Sequence, residues 1–502
     1  MKQATEPKKL SLKANFLFNL IIQLVTYIIP LITAPYLSRV LSPEGIGQNS
    51  FANSICSYFT MVIAFGFLTY GTKAISEKKD RKKEYSIVFW NIFFSRGLLF
   101  VFCFVIYFLM AYLWGFGSVV NKNIFFIYSL VLVNSFLTID YLFQGLENFR
   151  ILSLLNIGCN ILAAIGYFLF VKESSDLLIY ITIFVAKNLL ISALSWFFAF
   201  KRLDRLHFKE IHVFSSLRDN LFYFLPTIAI SIYTVLDRTM LGYLSSTSEV
   251  GYYEEAYKII SLVTGLMNAM SPVMLSRVSA LVKEGKEKEA EDKIVKMGEV
   301  YFLLGFPILL GLYAVSRYFI PAFFGEAYLP SVAVIYWLIP LVMIIPISNQ
   351  IGNVYFVVRG KVGMTTWFFL AGALLNFSTN FLSIPYLGAA GAAITSLAAE
   401  TLISALFLIF SWKHIPYRRI ILQGWKPLVA AFIMFLSIVL LDCFLFDSIL
   451  NSLITKTLCS VGCGVLIYGI VVLLLREPMV MTVISKFRAA VMKFKGEGRR
   501  DE

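Results

Sequence analysis

Leu154-Leu155-Asn156-Ile157-Gly158-Cys159-Asn160-Ile161-Leu162 lies inside one long apolar run, and Leu374-Leu375-Asn376-Phe377-Ser378-Thr379-Asn380-Phe381-Leu382 lies inside another. The two stretches share their terminal leucines and place Asn at the third and seventh positions. A second echo follows in the next run of each: Leu190-Ile191-Ser192-Ala193-Leu194 recurs as Leu402-Ile403-Ser404-Ala405-Leu406. A third precedes them. Leu41-Ser42-Pro43-Glu44-Gly45-Ile46-Gly47 resembles Leu244-Ser245-Ser246-Thr247-Ser248-Glu249-Val250-Gly251, and in both an Ala stands five residues past the last Gly, Ala52 and Ala256. One such match is unremarkable in apolar sequence. Three in the same order indicate a chain that repeats itself.

The runs between these echoes are long. Apolar stretches fall at roughly 12–38, 48–71, 86–114, 123–144, 151–171, 176–200, 219–243, 250–276, 297–316, 330–358, 362–384, 388–411, 427–446 and 451–475. Each is long enough, at about 1.5 Å per residue, to cross a hydrocarbon core about 30 Å thick as a helix. The expected fold class is therefore all-α: a polytopic membrane protein with about fourteen transmembrane helices. Composition agrees, with 59% hydrophobic residues, 15% charged and a mean hydropathy of +0.77 over 502 residues. Soluble domains run nearer a quarter charged. The first apolar run is too long for a signal-peptide core and lacks a small-x-small cleavage site, so it is expected to remain as the first helix.

Numbering the runs, each echo pairs helix n with helix n+6. An even offset gives the two halves the same orientation, related by an axis along the membrane normal. The expected organisation is an N-lobe at 1–200 (helices 1–6), a C-lobe at 201–412 (helices 7–12), helices 13 and 14 at 413–476, and a basic cytoplasmic tail at 477–502. Charge sets the orientation. With the N-terminus inside, 35 of the 44 Lys and Arg fall in inner segments, against five in outer loops: Arg39, Lys122, Lys172, Arg317 and Lys456. That bias predicts cytoplasmic termini, and it accounts for the net charge of +14 without nucleic acid.

Pro30, Pro35, Pro226, Pro272, Pro307, Pro340 and Pro346 fall within apolar runs, where proline frees a backbone carbonyl and permits a bend. All six cysteines also lie in apolar runs and form no C-x-x-C pair, so they read as small packing residues. His207, His212 and His414 have no partner at metal-ligand spacing, no P-loop is present, and the longest outer loop, about 317–329, is too short for a catalytic domain. The chain reads as a transporter, not an enzyme, with no cofactor and no metal site.

Asp237-Arg238-Thr239-Met240-Leu241-Gly242-Tyr243-Leu244, followed by Glu249-Val250-Gly251-Tyr252-Tyr253 and Ala256-Tyr257-Lys258, resembles the helix 7–8 signature of polysaccharide repeat-unit flippases. Gly45-Ile46-Gly47 through Gly66 to Tyr70-Gly71 is similar to the same family's helix 2, and Gln144-Gly145-Leu146-Glu147-Asn148-Phe149 to its helix 4–5 turn. These Wzx-type proteins of the oligosaccharide flippase group belong to the multidrug/oligosaccharidyl-lipid/polysaccharide exporter superfamily. The resemblance covers nearly the whole chain. It implies two six-helix lobes around a central cavity in a MATE-like arrangement. It also implies an undecaprenyl-diphosphate-linked oligosaccharide as cargo, moved from the cytoplasmic to the outer leaflet of a bacterial plasma membrane for capsule, O-antigen or exopolysaccharide assembly. Membrane lipids and a polysaccharide polymerase are the expected partners.

An ionisable residue at a helix centre costs about 2.5–3.5 kcal/mol on insertion scales, so each needs a reason. Position puts Arg96, Lys187, Lys258 and Glu400 near the midplane, with Asp237 and Arg238 in the outer third of helix 7. Arg96, Lys187, Lys258 and Arg238 are the candidates for a cationic, diphosphate-binding cavity, because Arg and Lys match phosphate oxygens. Internal pairing is the competing reading: Glu254 to Lys258 at i, i+4, and Asp237 or Glu255 to Arg238. Glu400 and Asp237 are the candidates for proton or sodium coupling. Tyr252, Tyr253 and Tyr257 suit either sugar stacking or interfacial anchoring. The alternatives to a repeat-unit flippase are a flippase for peptidoglycan precursors or teichoic acid, a MATE-like drug exporter, for which an acidic cavity would be expected, and, last, a membrane glycan polymerase or ligase.

The orientation is directly testable. In a background without reactive native thiols, cysteines at Ser76 and Ser215 should resist an impermeant thiol reagent in intact cells, and one at Ser246 should label. Labelling at Ser76 contradicts the topology.

Overall fold

A computed structural model describes residues 12–113, 119–205, 210–446, 450–482 and 484–485. Lys2, Lys8, Lys9, His207 and most of the basic tail lie outside the described residues. Among the described residues there is no strand. The helices are α1 Leu12–Ala64, α2 Phe67–Ser76, α3 Lys82–Leu113, α4 Lys122–Leu137, α5 Asp140–Gly145, α6 Phe149–Phe170, α7 Leu177–Phe200, α8 Val213–Leu244, α9 Thr247–Asn268, α10 Ser271–Lys283, α11 Glu287–Phe324, α12 Ser331–Leu338, α13 Leu341–Ile351, α14 Val362–Ser411, α15 Tyr417–Leu441 and α16 Leu453–Leu474.

Ten described stretches are long and apolar enough to cross a membrane. Two of them, Ile29–Ser76 and Val362–Ser411, run to 48 and 50 residues, more than twice the span of a bilayer core at about 1.5 Å per residue. Each contains a residue that breaks the helix: Ser42 (φ 61°, ψ 169°) in α1 and Gly388 (φ 53°, ψ −132°) in α14. Each is therefore read as two passes. Helices α8 and α9 fall outside those ten stretches, so the total is about fourteen rather than a fixed count. Large apolar side chains are also left exposed along many helices, among them Phe102 at 63%, Leu113 at 73%, Leu382 at 72% and Leu474 at 76%. Exposed apolar surface on this scale is stable only against lipid. The protein is a multi-pass membrane protein.

Contacts group the chain into two compact units, one holding residues up to Glu254 together with Asn380–Ala389, the other holding Glu255–Thr379 and Ala390 onward. In the first unit, α1 packs on α4, α6 and α8, α6 on α7, and α2 on α5. Its core is aromatic, with Phe67, Phe89, Tyr141 and Phe143 all buried. In the second, α11 packs on α15 and α16, and Val354, Tyr355, Phe356, Ile403 and Phe407 form a core beside Val278 and Ile294. Small polar residues are buried among the helices, such as Ser86, Ser95, Ser153, Ser192 and Ser316, as expected where lipid supplies no hydrophobic drive.

Helices outrun the apolar stretches from which they were read. The run starting near 297 belongs to a helix that begins at Glu287, and the run starting near 427 to one that begins at Tyr417. Hydropathy marks the segment suited to lipid; the charged turns beyond it remain helical in water. Proline locates only some of the bends. Pro272 and Pro340 adjoin breaks between α9 and α10 and between α12 and α13, whereas Pro30, Pro35 and Pro307 sit inside unbroken helix. Breaks at Phe65-Gly66 (φ 42° and 71°) and at Thr138 (ψ 123°) have no proline nearby.

The first unit also shows why two echoed glycines recur. A Cβ on Gly47 would fall on the carbonyl of Thr247, and a Cβ on Gly251 would fall on the carbonyl of Pro43. Thr247 stands four residues before Gly251, and Pro43 four before Gly47. Each glycine thus packs against the carbonyl one helical turn before its counterpart, a reciprocal contact of the Cα–H···O kind. The pair Ser50 and Glu254, each three residues beyond its glycine, meet side chain to side chain at 2.9 Å. The two echoed turns thus meet each other in reciprocal contacts at this crossing.

Candidate functional site

The ionisable residues within the apolar segments have distinct surroundings. Asp237, on α8, is 5% exposed. Its Oδ2 accepts from the Tyr253 hydroxyl at 2.6 Å and its Oδ1 from the Asn380 amide at 2.8 Å. The adjacent Arg238 donates from Nε to Glu254 at 2.5 Å and from a terminal nitrogen to the Thr234 carbonyl at 2.7 Å. Its guanidinium also lies 5.9 Å from the Tyr253 ring. One turn of α8 and one of α9 therefore hold two carboxylates and a guanidinium in a hydrogen-bonded cluster. At low dielectric such an arrangement is stable only when complete, since removing one partner of a buried pair costs about 3–5 kcal/mol.

In the second unit, Lys258 donates to Glu255 at 2.8 Å, with Glu255 fully buried and Lys258 about one-third exposed. Glu400, on the second limb of α14, is 4% exposed. Sequence spacing offered Glu254 to Lys258; here Glu254 serves Arg238 on the neighbouring helix, and Lys258 takes Glu255 on its own. Tyr253, read as a stacking or interfacial aromatic, is buried with its hydroxyl on Asp237, while Tyr252 and Tyr257 are half-buried.

Arg96 is 5% exposed, and its guanidinium donates to the carbonyls of Ser135 and Thr138. These carbonyls lie where α4 stops and the chain turns extended before α5. The Leu137 carbonyl at the same break accepts from Trp196 Nε1 at 2.8 Å. Broken helices are tolerated in a membrane only where the freed carbonyls find donors, and a cation at a helix C-terminus also opposes the dipole. Arg96 thus holds a helix break, a role that no motif announces. Sequence could have hinted at it only by its poor fit to an otherwise apolar helix.

Lys187, on α7, is half-buried. Its ammonium donates to Asn160 Oδ1 at 3.1 Å and lies 5.3 Å from the Phe184 ring. Among the described residues it makes no ion pair. Asn160 belongs to the Leu-Leu-Asn echo that revealed the repeat. Its immediate surroundings are thus a neutral amide and an aromatic ring.

Among the described residues, no group of three or more His, Cys, Asp or Glu could hold a metal ion. Their cysteines are free, with Cys56, Cys103 and Cys159 buried and Cys443 exposed. Outside the apolar segments, Lys79 bridges to Glu147 at 2.7 Å, which raises the lysine's proton affinity above its usual value. This contact ties the α2 end to the turn after α5.

These features are those of a known fold. The chain superposes on the lipid II flippase MurJ, in an inward closed conformation, with a TM-score of 0.74, 16% identity, and coverage of 93% of this chain and 100% of that one. It superposes on an inward-facing multidrug resistance MATE family transporter of the MOP superfamily with a TM-score of 0.60, 12% identity, and coverage of 77% and 97%. The class is the all-helical membrane-protein fold of those two structures. Residues 12–275 match the family described as "Polysaccharide biosynthesis protein", and the chain belongs to that family. Among its relatives is an Escherichia coli K12 protein named "Putative O-antigen transporter", 29% identical over 406 residues, spanning 80% of this chain and 97% of the relative. The protein is a multi-pass membrane protein of the polysaccharide biosynthesis family.

The two cations should respond differently to substitution. Arg96→Gln leaves buried carbonyls without a charged donor, at about 1.5–3 kcal/mol per charge-assisted bond. Its melting temperature in detergent should fall clearly below wild type. Lys187→Gln, with its neutral partner, should melt near wild type. Equal melting of the two would refute the structural role of Arg96.

Proposed function

We propose that the protein flips undecaprenyl-diphosphate-linked oligosaccharide repeat units from the cytoplasmic to the outer leaflet of a bacterial inner membrane, by alternating access, for O-antigen, capsule or exopolysaccharide assembly. The observation that carries this reading is agreement over 93% of the chain with the fold of the lipid II flippase MurJ, in a chain whose family is polysaccharide biosynthesis. The part left uncovered by that superposition is shorter than α15 and α16 together, so those C-terminal helices are at least partly shared. The drug-transporter superposition covers less of the chain.

Within this reading, Lys187 receives the diphosphate. Arg238 and Lys258 already face carboxylates and would bind phosphate only by exchanging partners. Arg96 supports the helix break on which the first unit depends. Asp237 and Glu400 serve as candidates for proton or sodium coupling: a buried carboxylate such as Asp237, held by neutral donors, changes its hydrogen bonding on taking up a cation. Both termini lie in the cytoplasm, and the emerging glycan passes to a polymerase. A peptidoglycan-precursor flippase is the second reading, favoured by the same superposition, and the cargo separates the two.

The test uses purified protein in liposomes. Undecaprenyl-diphosphate oligosaccharide and lipid II are each loaded in the inner leaflet, and outward appearance is read with an impermeant glycan-modifying enzyme. Lipid-linked oligosaccharide should appear and lipid II should not. Lys187→Ala should abolish the signal at normal protein level, and Lys187→Arg should retain part of it because the charge is kept. Transport of lipid II alone would overturn the proposal in favour of the second reading. Wild-type transport by Lys187→Ala would remove that lysine from the cargo site.

A further inference from the structure

At the basic end of the second unit, the α14–α15 linker forms a wall shared by two cavities. One, of about 230 Å³, is almost wholly apolar and is lined by Ile294, Tyr301, Ile347, Gln350 and Leu408. The other, of about 360 Å³, is half polar and is lined by Glu291, Lys413, His414 and Arg418. Trp412, Ile415 and Tyr417 line both. Separately, the two lie below or near the lower limit, about 300 Å³, for a site holding a drug-sized ligand. They adjoin at that wall, an apolar cavity on one side and a charged mouth on the other.

The apolar arm contains an anomaly. Gln350 is 5% exposed, and neither its amide nitrogen nor its oxygen has a partner. Tyr301 is 2% exposed, and its hydroxyl is likewise unpartnered. Buried polar groups are ordinarily hydrogen-bonded, and two such groups lining one cavity mark a place where a ligand supplies the missing atoms. At the mouth, Lys413 and Arg418 are exposed, and neither forms an ion pair among the described residues. Glu291 offsets one of the two charges, which leaves the rim net positive.

We propose that this site binds one anionic glycerophospholipid. An acyl chain fills the apolar arm, the ester oxygens meet Gln350 and Tyr301, and the phosphate sits at Lys413 and Arg418. The ester oxygens decide between amphiphiles. An isoprenyl phosphate has no polar atom along its chain, so it would leave Gln350 and Tyr301 unsatisfied. A zwitterionic phospholipid would bring its own cation to a positive rim. The inference is independent of the cargo, because it concerns a lipid that stays with the protein.

The experiment is native mass spectrometry of the full chain in detergent, titrated with dioleoylphosphatidylglycerol, dioleoylphosphatidylcholine or undecaprenyl phosphate. Wild type should bind phosphatidylglycerol at least tenfold more tightly than either other lipid. The surface double variant Lys413→Gln/Arg418→Gln should lose most of the preference over phosphatidylcholine. Gln350→Leu should lose most of the preference over undecaprenyl phosphate, and a melting curve checks that it folds. Equal binding of the two phospholipids by wild type would overturn the proposal, as would unchanged selectivity in both variants. Tighter binding of undecaprenyl phosphate would assign the cavity to a cargo-like tail instead. None of these readings depends on transport, so a protein that fails to flip glycan can still pass or fail here.

Discussion

Three helix N-termini meet in the first unit, and much of what lies below depends on how closely they meet. The limb of α1 after Ser42, the start of α9 and the limb of α14 after Gly388 all begin there. Gly47 and Gly251 let the first two cross at backbone distance, each against the other's carbonyl. The positive ends of three helices would repel, and acidic side chains answer them. Glu44 and Glu249 lie in the first turns of their helices, and Glu249 accepts from the Ala389 amide at 2.6 Å. Below the crossing, Ser50 reaches Glu254, Phe51 lies on Gly242, and Ser54 and Tyr58 share Thr239. Larger side chains at either glycine would drive these contacts apart together.

That crossing fixes the register of the charged cluster beneath it. Glu254 stands three residues beyond Gly251, so the glycine contact sets where its carboxylate meets Arg238. Asp237 is similarly placed for Tyr253. This crossing has few strong interactions: Cα–H···O contacts worth about 0.5–1 kcal/mol each and a partly buried ion pair. The proposed alternating access would have to break only these contacts for the crossing to part.

Fold class was legible in the sequence because hydropathy reports directly on lipid exposure, and the repeat survives in Asn156, Asn160, Asn376 and Asn380. Helix ends were less legible, since Glu287 and Tyr417 begin helices in polar sequence. The ionisable residues within the apolar runs were visible in the sequence, but the partners that neighbouring helices bring to them were not. Spacing along one helix proposes Glu254 for Lys258. It cannot reveal that a neighbouring helix presents Arg238, or that Asn380, some 140 residues from Asp237, supplies its second hydrogen bond. Arg96 illustrates the same limit: its partners are carbonyls, which have no sequence signature. Gln350 and Tyr301 passed unremarked because a buried polar residue is recognisable only when its surroundings are known.

The proposed alternating access requires the helices bearing the echoed turns to separate. Ser54 and Thr239 hold their hydroxyl oxygens 2.8 Å apart, on α1 and α8, close enough for cysteines there to approach disulfide geometry. In a chain stripped of its native cysteines, Ser54→Cys with Thr239→Cys should cross-link under oxidant and stop glycan export, and reduction should restore it. Full export by completely cross-linked protein would contradict the account.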